Sequence, residues 1–226
     1  MKGLMCGRYS LKASSIDLCR ALALDEVPQL TARYNLAPLQ AAPIVTALAP
    51  RALTVARWGL LPSWAKDASL ASKLINARAE TLTDKPAFKA LARSEAHRCL
   101  VPCDGFYEWL RDGRARTPHW VFAPDEGVLT MAGLWNAWRS PDGLEATTFT
   151  VITTQANAMM RTLHDRMPVF IAPEHRARWL HEGDPGLLVP WAGELRERQV
   201  GPLVNHVEHD DPRCLEPATV VQLSLL

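Results

Sequence analysis

Residues 98–122 read RCLVPCDGFYEWLRDGRARTPHWVF. From 97 to 110 the pattern is that of a β-strand. Asp112-Gly113 is a hairpin signal, because glycine accepts the positive φ that tight hairpin turns need, and it leads into a second strand over 117–123. Working outward, strands are expected at 128–138 and, past the Pro141-Asp142-Gly143 turn, at 146–154. Upstream, 43–48 and 52–58 read as strands, and downstream 167–172, 203–208 and 218–224 do. Helices are few and short. Ser14 or Ser15 caps one through about Leu24, with Ile16, Cys19 and Leu22/Ala23 on one face. Pro86 starts another through about Arg93, with Phe88, Leu91 and Ala92 inward. Short helices are also expected at 157–163 and from Pro173-Glu174 to about His181. Strands do not alternate with helices as a parallel sheet requires. The expectation is a single α+β domain built on mostly antiparallel strands, with no linker dividing it.

Composition narrows the function. The chain has 226 residues, 48% hydrophobic and 22% charged, which suits one globular core. No run approaches the roughly 18 apolar residues of a membrane span, and the N-terminus lacks the apolar segment of a signal peptide. Five cysteines at irregular spacing argue for free thiols in a reducing compartment, so a cytoplasmic protein is expected, nucleoid-associated if bacterial. Net charge is +1, which excludes a protein that coats DNA by bulk charge. The cations are 19 Arg and 6 Lys, and arginine is the better bidentate phosphate ligand, so a local phosphate-binding patch stays open.

Four segments carry candidate chemistry, each with a plainer reading beside it. In Asn76-Ala77-Arg78-Ala79-Glu80 the polar residues alternate, so on a strand an amide, a guanidinium and a carboxylate share one side. They form either a surface ladder or the wall of a site. Glu108 is a lone acid among Phe106, Tyr107 and Trp109. If buried, it would hold its proton near neutrality and suit acid/base work; otherwise it faces solvent from an edge strand. His164-Asp165-Arg166 follows a helix and precedes an apolar strand, where an imidazole serves as a cap or as a proton carrier. Trp58 and Trp64 flank a loop, either as core and lid or as a platform for unstacked bases. Cys99 and Cys103 have no second pair at zinc spacing, and His206-x-x-His209 lies near Asp210 and Asp211 in what could equally be a solvated turn, so no metal and no cofactor are expected. No G-x-S-x-G elbow and no phosphate-cradling glycine motif appear.

The N-terminus poses its own question. Met5 is followed by Cys6, Gly7 and Arg8. Met5 is either an ordinary internal residue or the true start. In the second case its removal leaves Cys6 with a free amine beside its thiol, a 1,2-aminothiol able to close a thiazolidine ring on an aldehyde.

Taken together, the segments resemble a known family. Met-Cys-Gly-Arg-Tyr at 5–9, Arg-Tyr-Asn-Leu-Ala-Pro at 33–38, Trp-Gly-Leu-Leu-Pro-Ser-Trp at 58–64, Asn-Ala-Arg-Ala-Glu-Thr at 76–81, Gly-Phe-Tyr-Glu-Trp at 105–109 and His-Asp-Arg-Met-Pro at 164–168 are similar to the SOS-response-associated peptidase (SRAP) family. The resemblance runs from Met5 to about Pro217 and includes Val204-Asn205 and Asp211-Pro212. It implies a β-rich α+β domain that crosslinks itself to abasic sites in single-stranded DNA. It implies Cys6 as the N-terminal nucleophile, Asn76 as the amide positioning nucleophile and opened sugar, Glu108 as acid/base, and His164 as proton carrier. Arg8 and Arg78 match phosphate-contacting arginines. Asn35, Pro38, Trp64, Thr153 and Arg166 fall in stretches that line the DNA groove or active site.

Residues 1–4 depart from that pattern. Removal of Met1 would expose Lys2, too large for the usual aminopeptidase, so residues 1–4 are expected to be an extension to a single domain over 5–226, absent through initiation at Met5 or removed by the chain's own peptidase activity, and the mature form is expected to start at Cys6. The expected partner is abasic single-stranded DNA, bound by a monomer, with no membrane. Two other readings compete: a cysteine peptidase acting on other proteins through Cys6 and His164, and a non-covalent single-strand-binding module.

Overall fold

Twelve strands are formed among the described residues of the computed structural model, 7–113 and 115–218. They are β1 (Tyr9–Leu11), β2 (Arg33–Leu36), β3 (Ala41–Thr46), β4 (Ala49–Trp58), β5 (Asn76–Arg78), β6 (Arg98–Cys103), β7 (Gly105–Asp112), β8 (Ala115–Phe122), β9 (Leu129–Arg139), β10 (Glu145–Gln155), β11 (Arg166–Pro168) and β12 (Arg196–Gln199). Two α-helices accompany them, α1 (Ser15–Leu22) and α2 (Lys89–Ala92).

The stretch read as one strand from 97 to 110 is two strands in two sheets, parted at Asp104. Asp104 is fully buried and makes the corner rigid. One carboxylate oxygen accepts from Ser10 Oγ at 2.6 Å, and the other accepts from the backbone N–H groups of Lys12 and Ala13. Burial pushes its pKa up, against the pull of these hydrogen bonds. Gly105 follows because nothing larger fits: a Cβ there would lie 2.2 Å from Trp120 Nε1.

The first sheet closes on itself. β4, β3, β6, β9 and β10 pair in turn, and β10 returns to β4, giving a five-stranded barrel. Neighbours in an all-antiparallel ring must alternate direction, which an odd number of strands cannot do. One parallel seam is therefore required, and it falls between β10 and β4 (Phe149↔Trp58). β5 adds a second parallel pairing on β10 (Val151↔Asn76), and β11 pairs antiparallel with the end of β10. The second sheet, in the order β12-β8-β7-β1-β2, is antiparallel throughout. The structure is thus the expected α+β domain of mostly antiparallel strands.

Period-two alternation assigns the two faces of the second sheet. Tyr9, Phe106 and Val121 join the barrel residues Ile44, Val101 and Phe149 in the main core. Tyr107, Trp120 and Phe122 face the other way and are covered by Val200, Val204, Cys214 and Leu215. Trp58 belongs wholly to the core: its ring meets Tyr9 edge-on at 5.1 Å and stacks on Phe149 at 6.4 Å, while Nε1 donates to Ile75 O at 2.8 Å. Trp58→Ala should cost about 3–5 kcal/mol of stability, read by urea unfolding, because it leaves both a cavity and an orphaned carbonyl where barrel and sheet meet.

Several local expectations are corrected. Ser14 caps α1, accepting from Asp17 N, and Ala23 ends it at φ 51°, but the inward face is Leu18 and Leu22 and Ile16 is 61% exposed. The helix expected over 86–93 is α-helical only at Lys89–Ala92, with Phe88 and Leu91 buried as expected. The segment at 157–163 holds only a 3₁₀ turn at Met160–Thr162. The helix after Pro173 is a 3₁₀ turn and then a π turn, Arg178–Glu182. Arg98 caps its end by donating to Leu180 O and His181 O. Residues 203–208 are not a strand: Pro202 opens a 3₁₀ turn, Pro202–Asn205. The strand expected at 218–224 lies, beyond Ala218, outside the described residues.

Candidate active site

β1 is threaded between β2 and β7, and this brings the start of the described chain to Glu108. Tyr107 N–H donates to Arg8 O at 3.0 Å, a register that sets Gly7 beside Glu108. Glu108 shares a face with Phe106, turned toward the barrel, and is 3% exposed. The alternating-strand reading with this acid outward is therefore excluded. Cys6 and residues 1–4 lie outside the described residues.

On the opposite face Arg8 crosses Trp109, with its guanidinium carbon 5.9 Å from the ring centroid. Nη1 donates to Asn35 Oδ1 at 2.7 Å and to Val204 O at 2.6 Å. Asn35 has no exposed surface and so does not itself form a groove wall. Its Nδ2 donates to Val204 O, His206 O and His209 O, so it gathers the 204–209 segment and orients Arg8. Asp210 completes the clamp by accepting from the backbone of Tyr34 and Asn35. Trp109 Nε1 donates to Asn205 Oδ1 at 2.7 Å. Gly7, Arg8, Pro38, Trp109, Arg116 and Asn205 line the resulting cleft, of about 490 Å³.

A second cleft, of about 400 Å³, is lined by Arg78, Gln155, Ala156, Arg161, Asp165 and Arg166. Asn76 and Arg78 stand on β5 against Val151 and Thr153 of β10. The three-residue ladder stops there, since Glu80 falls in the 3₁₀ turn Ala79–Thr81. Glu80 instead receives Arg166 in a two-point ion pair, and Arg166 also donates to Thr153 O at 2.8 Å. The Arg166 hydrogen bond is the main cause holding the Glu80 carboxyl below its usual pKa. Thr153 is buried, with Oγ1 donating to Ala77 O at 3.3 Å. Arg78 is exposed and has no ion pair among the described residues.

His164 enters at the edge of this cleft, half-buried between Asp165 and Arg166. Its Nδ1 lies 3.1 Å from both Arg166 N and Asp165 Oδ1, so it can accept from the backbone N–H in the neutral ring and donate to the carboxylate once protonated. Burial lowers the imidazole pKa, opposed by Asp165 and aided by Arg111 and Arg166. Arg111 is the outer end of β7, so the strand that carries Glu108 also acts on His164.

The remaining candidates separate. Trp64 is 56% exposed and is among the lining residues of neither cleft. His206 and His209 meet edge-on at 6.0 Å, and no group of three or more metal-ligating side chains occurs among the described residues. Cys99 and Cys103 are buried, and burial raises both thiols well above their usual pKa, which makes them inert. Sequence reasoning missed Arg111, Arg116 and Arg161. An isolated arginine carries no pattern, and only the fold collects these three.

Fold and site define an α+β barrel protein in which a buried carboxyl and a half-buried imidazole stand near arginine-bearing clefts. Residues 5–207 match the family model described as SOS response associated peptidase (SRAP), and the chain belongs to that family. It is 37% identical to the abasic site processing protein YoqW of Bacillus subtilis, across 94% of this chain and 99% of that one. It is 29% identical to the abasic site processing protein HMCES of Xenopus tropicalis, across 84% and 67%. Among solved structures, a Bacteroides thetaiotaomicron protein superposes with a TM-score of 0.84 over 95% of this chain and all of its own, at 24% identity. A phage-related protein of Bordetella bronchiseptica gives 0.66 over 86% and 94%, at 28% identity. No helix among the described residues is long and apolar enough to cross a membrane.

Proposed function

We propose that this protein processes abasic sites in single-stranded DNA by crosslinking to them through Cys6. The observation that carries the reading is the register of β1 on β7, which sets Gly7, next in sequence to Cys6, beside the buried Glu108. The names of the B. subtilis and X. tropicalis relatives point to the same lesion.

In the proposed reaction the ring-opened sugar presents an aldehyde. The Cys6 amine, with a reference pKa of about 8, has a neutral fraction at pH 7 and attacks it. Glu108 protonates the departing hydroxyl, which leaves as water, and takes the proton back from nitrogen as the imine forms. The Cys6 thiol then adds across the C=N bond, sulfur to carbon and its proton to nitrogen, forming a thiazolidine that blocks strand cleavage. His164, neutral at its depressed pKa, takes and returns protons in sugar opening and in reversal of the adduct. Asn76 positions the nucleophile and the opened sugar. The chemistry requires a free amine, so the working form is residues 6–226, made by initiation at Met5 or by removal of the extension, in which Cys6 would be its own peptidase nucleophile.

A denaturing gel decides the main claim. Protein beginning at Cys6 should give a denaturation-resistant band with an abasic oligonucleotide and none with an intact one. Protein whose Lys2 is still present should give no such band. Absence of the band from the Cys6 form would overturn the reading in favour of non-covalent binding.

Phosphate contact is assigned first to Arg78, whose charge is exposed. Arg78→Ala should weaken binding for every sequence and shallow the log–log salt slope by about 0.7, the single-strand value for one phosphate. Arg166→Ala should leave that slope unchanged, because its charge is already spent on Glu80. Equal slopes for Arg78→Ala and wild type would move the phosphate contact elsewhere, with Arg8 next to be tried.

A further inference from the structure

Glu108 has a titratable neighbour that the reaction scheme does not use. On β8, His119 lies directly opposite Glu108. Residues so placed on antiparallel strands project to the same face, with Cβ atoms about 4.5–5.5 Å apart. That face is the barrel-facing one, since Phe106 and Val121, the next residues along it, belong to the main core.

A buried imidazole needs a partner, and here it is the edge strand that provides one. His119 Nδ1 lies 2.5 Å from Glu197 Oε2 on β12. Glu197 stands opposite Val121, one step along the same face, while the neutral Gln199 stands opposite His119 itself. On its own strand His119 has only Thr117 and Val121 on that side, neither titratable. The charged groups that register places against the ring are therefore Glu108 from β7 and Glu197 from β12. Exposure rises along the row: Glu108 is 3% exposed, the His119 side chain 10% and the Glu197 side chain 38%. The three form a line from the buried acid to the rim of the sheet.

Glu108 must hold a proton when the hydroxyl departs, and as a buried side chain it has little contact with water from which to take one. We propose that His119, oriented by Glu197, is a positioning residue that sets the proton on Glu108 from the neighbouring strand on the same face of the sheet. The step rests on the acid role given to Glu108 above. Before the hydroxyl departs, the Glu108 carboxylate takes the Nε2 proton of the His119 imidazolium. An O–H bond forms as the N–H bond breaks, directly or through one bridging water. The carboxylate of Glu197 holds the imidazolium charge beforehand, and the neutral ring regains a proton from solvent at the β12 rim. Glu197 also fixes the ring, because its bond to Nδ1 leaves Nε2 as the nitrogen that exchanges.

Two measurements on the chain beginning at Cys6 test this. The first is an NMR titration of the His119 ring without DNA, in wild type, Glu108→Gln and Glu197→Gln. If the carboxylates face the ring as proposed, each substitution lowers its midpoint by about half a pH unit or more, since a nearby opposite charge favours the protonated ring. The second is the crosslinking rate against pH for wild type and His119→Gln, a change that keeps a hydrogen bond to Glu197 but cannot carry a proton. The expected result is a rate about tenfold lower near pH 7, loss of the ionisation that matches the NMR midpoint, and partial recovery with added imidazole. Glu197→Gln should move that ionisation without abolishing it, and stands in if His119→Gln fails to fold. A His119 midpoint indifferent to Glu108→Gln overturns the proposal. So does a coupled midpoint with superimposable rate profiles. Were wild type to form no adduct at all, the crosslinking reading would fall, while the titration would still show whether His119 and Glu108 are coupled.

Discussion

Glu108→Gln is expected to slow adduct formation about 10²- to 10⁴-fold, the range of a lost general acid/base, with little change in DNA affinity. The substitution keeps the length and planarity of the side chain, so β7 and its pairing with β1 and β8 should survive. What disappears is the one proton that converts a poor leaving group, hydroxide, into water. Single-turnover time courses at saturating DNA isolate that step. His164→Ala provides the contrast. It should delay formation and also prolong the adduct against a competing aldehyde trap, leaving the final product chemically the same. A wild-type rate for Glu108→Gln would reduce the buried carboxyl to a structural role, and the acid would have to be sought at His164.

The second large effect concerns the bond that makes the adduct durable. Cys6→Ser keeps the amine and so keeps imine formation and DNA binding. The hydroxyl closes the ring far less readily than sulfur, and the product should remain a hydrolysable imine. Denaturing challenge should remove nearly all of it, whereas borohydride reduction before the challenge should recover it. A serine variant as durable as wild type would rule out the thiazolidine.

The parts legible in the sequence are those that depend on neighbours in the chain. Asp112-Gly113 announced the β7–β8 hairpin because only a positive φ turns it, and Gly113 has φ 55°. Glu108 stood out because a lone acid among aromatics on an alternating strand has only two fates, and burial decided between them. The break at Asp104 was not legible. β6 is buried on both faces, so its apolar run merges with the inner face of β7, and only the Asp104 contacts to Ser10, Lys12 and Ala13 show where the sheet changes. β1, β2, β5 and β12 are three or four residues long, too short for alternation to declare itself. Long-range pairs were equally silent. Arg166 finds Glu80 across 86 positions, and Asn35 collects carbonyls about 170 positions away, which turns an expected groove residue into the brace behind Arg8.

The placement of β1 also bears on the order of events during synthesis. Tyr9 pairs with Phe106, so the first strand has no neighbour on that side until nearly a hundred more residues have been made. At about 5–20 residues per second that delay is on the order of 5–20 s. Throughout it β1 lacks its β7 partner, and enzymes that trim nascent chains have a time window in which to work before the strand is locked into the middle of a sheet. A ribosome-bound chain stopped short of residue 105 should therefore remain open to such trimming, and one extended past residue 122 should become resistant. The same strand that brings Gly7 to Glu108 thus acts as a timer, separating the maturation of the terminus from the assembly of the site around it.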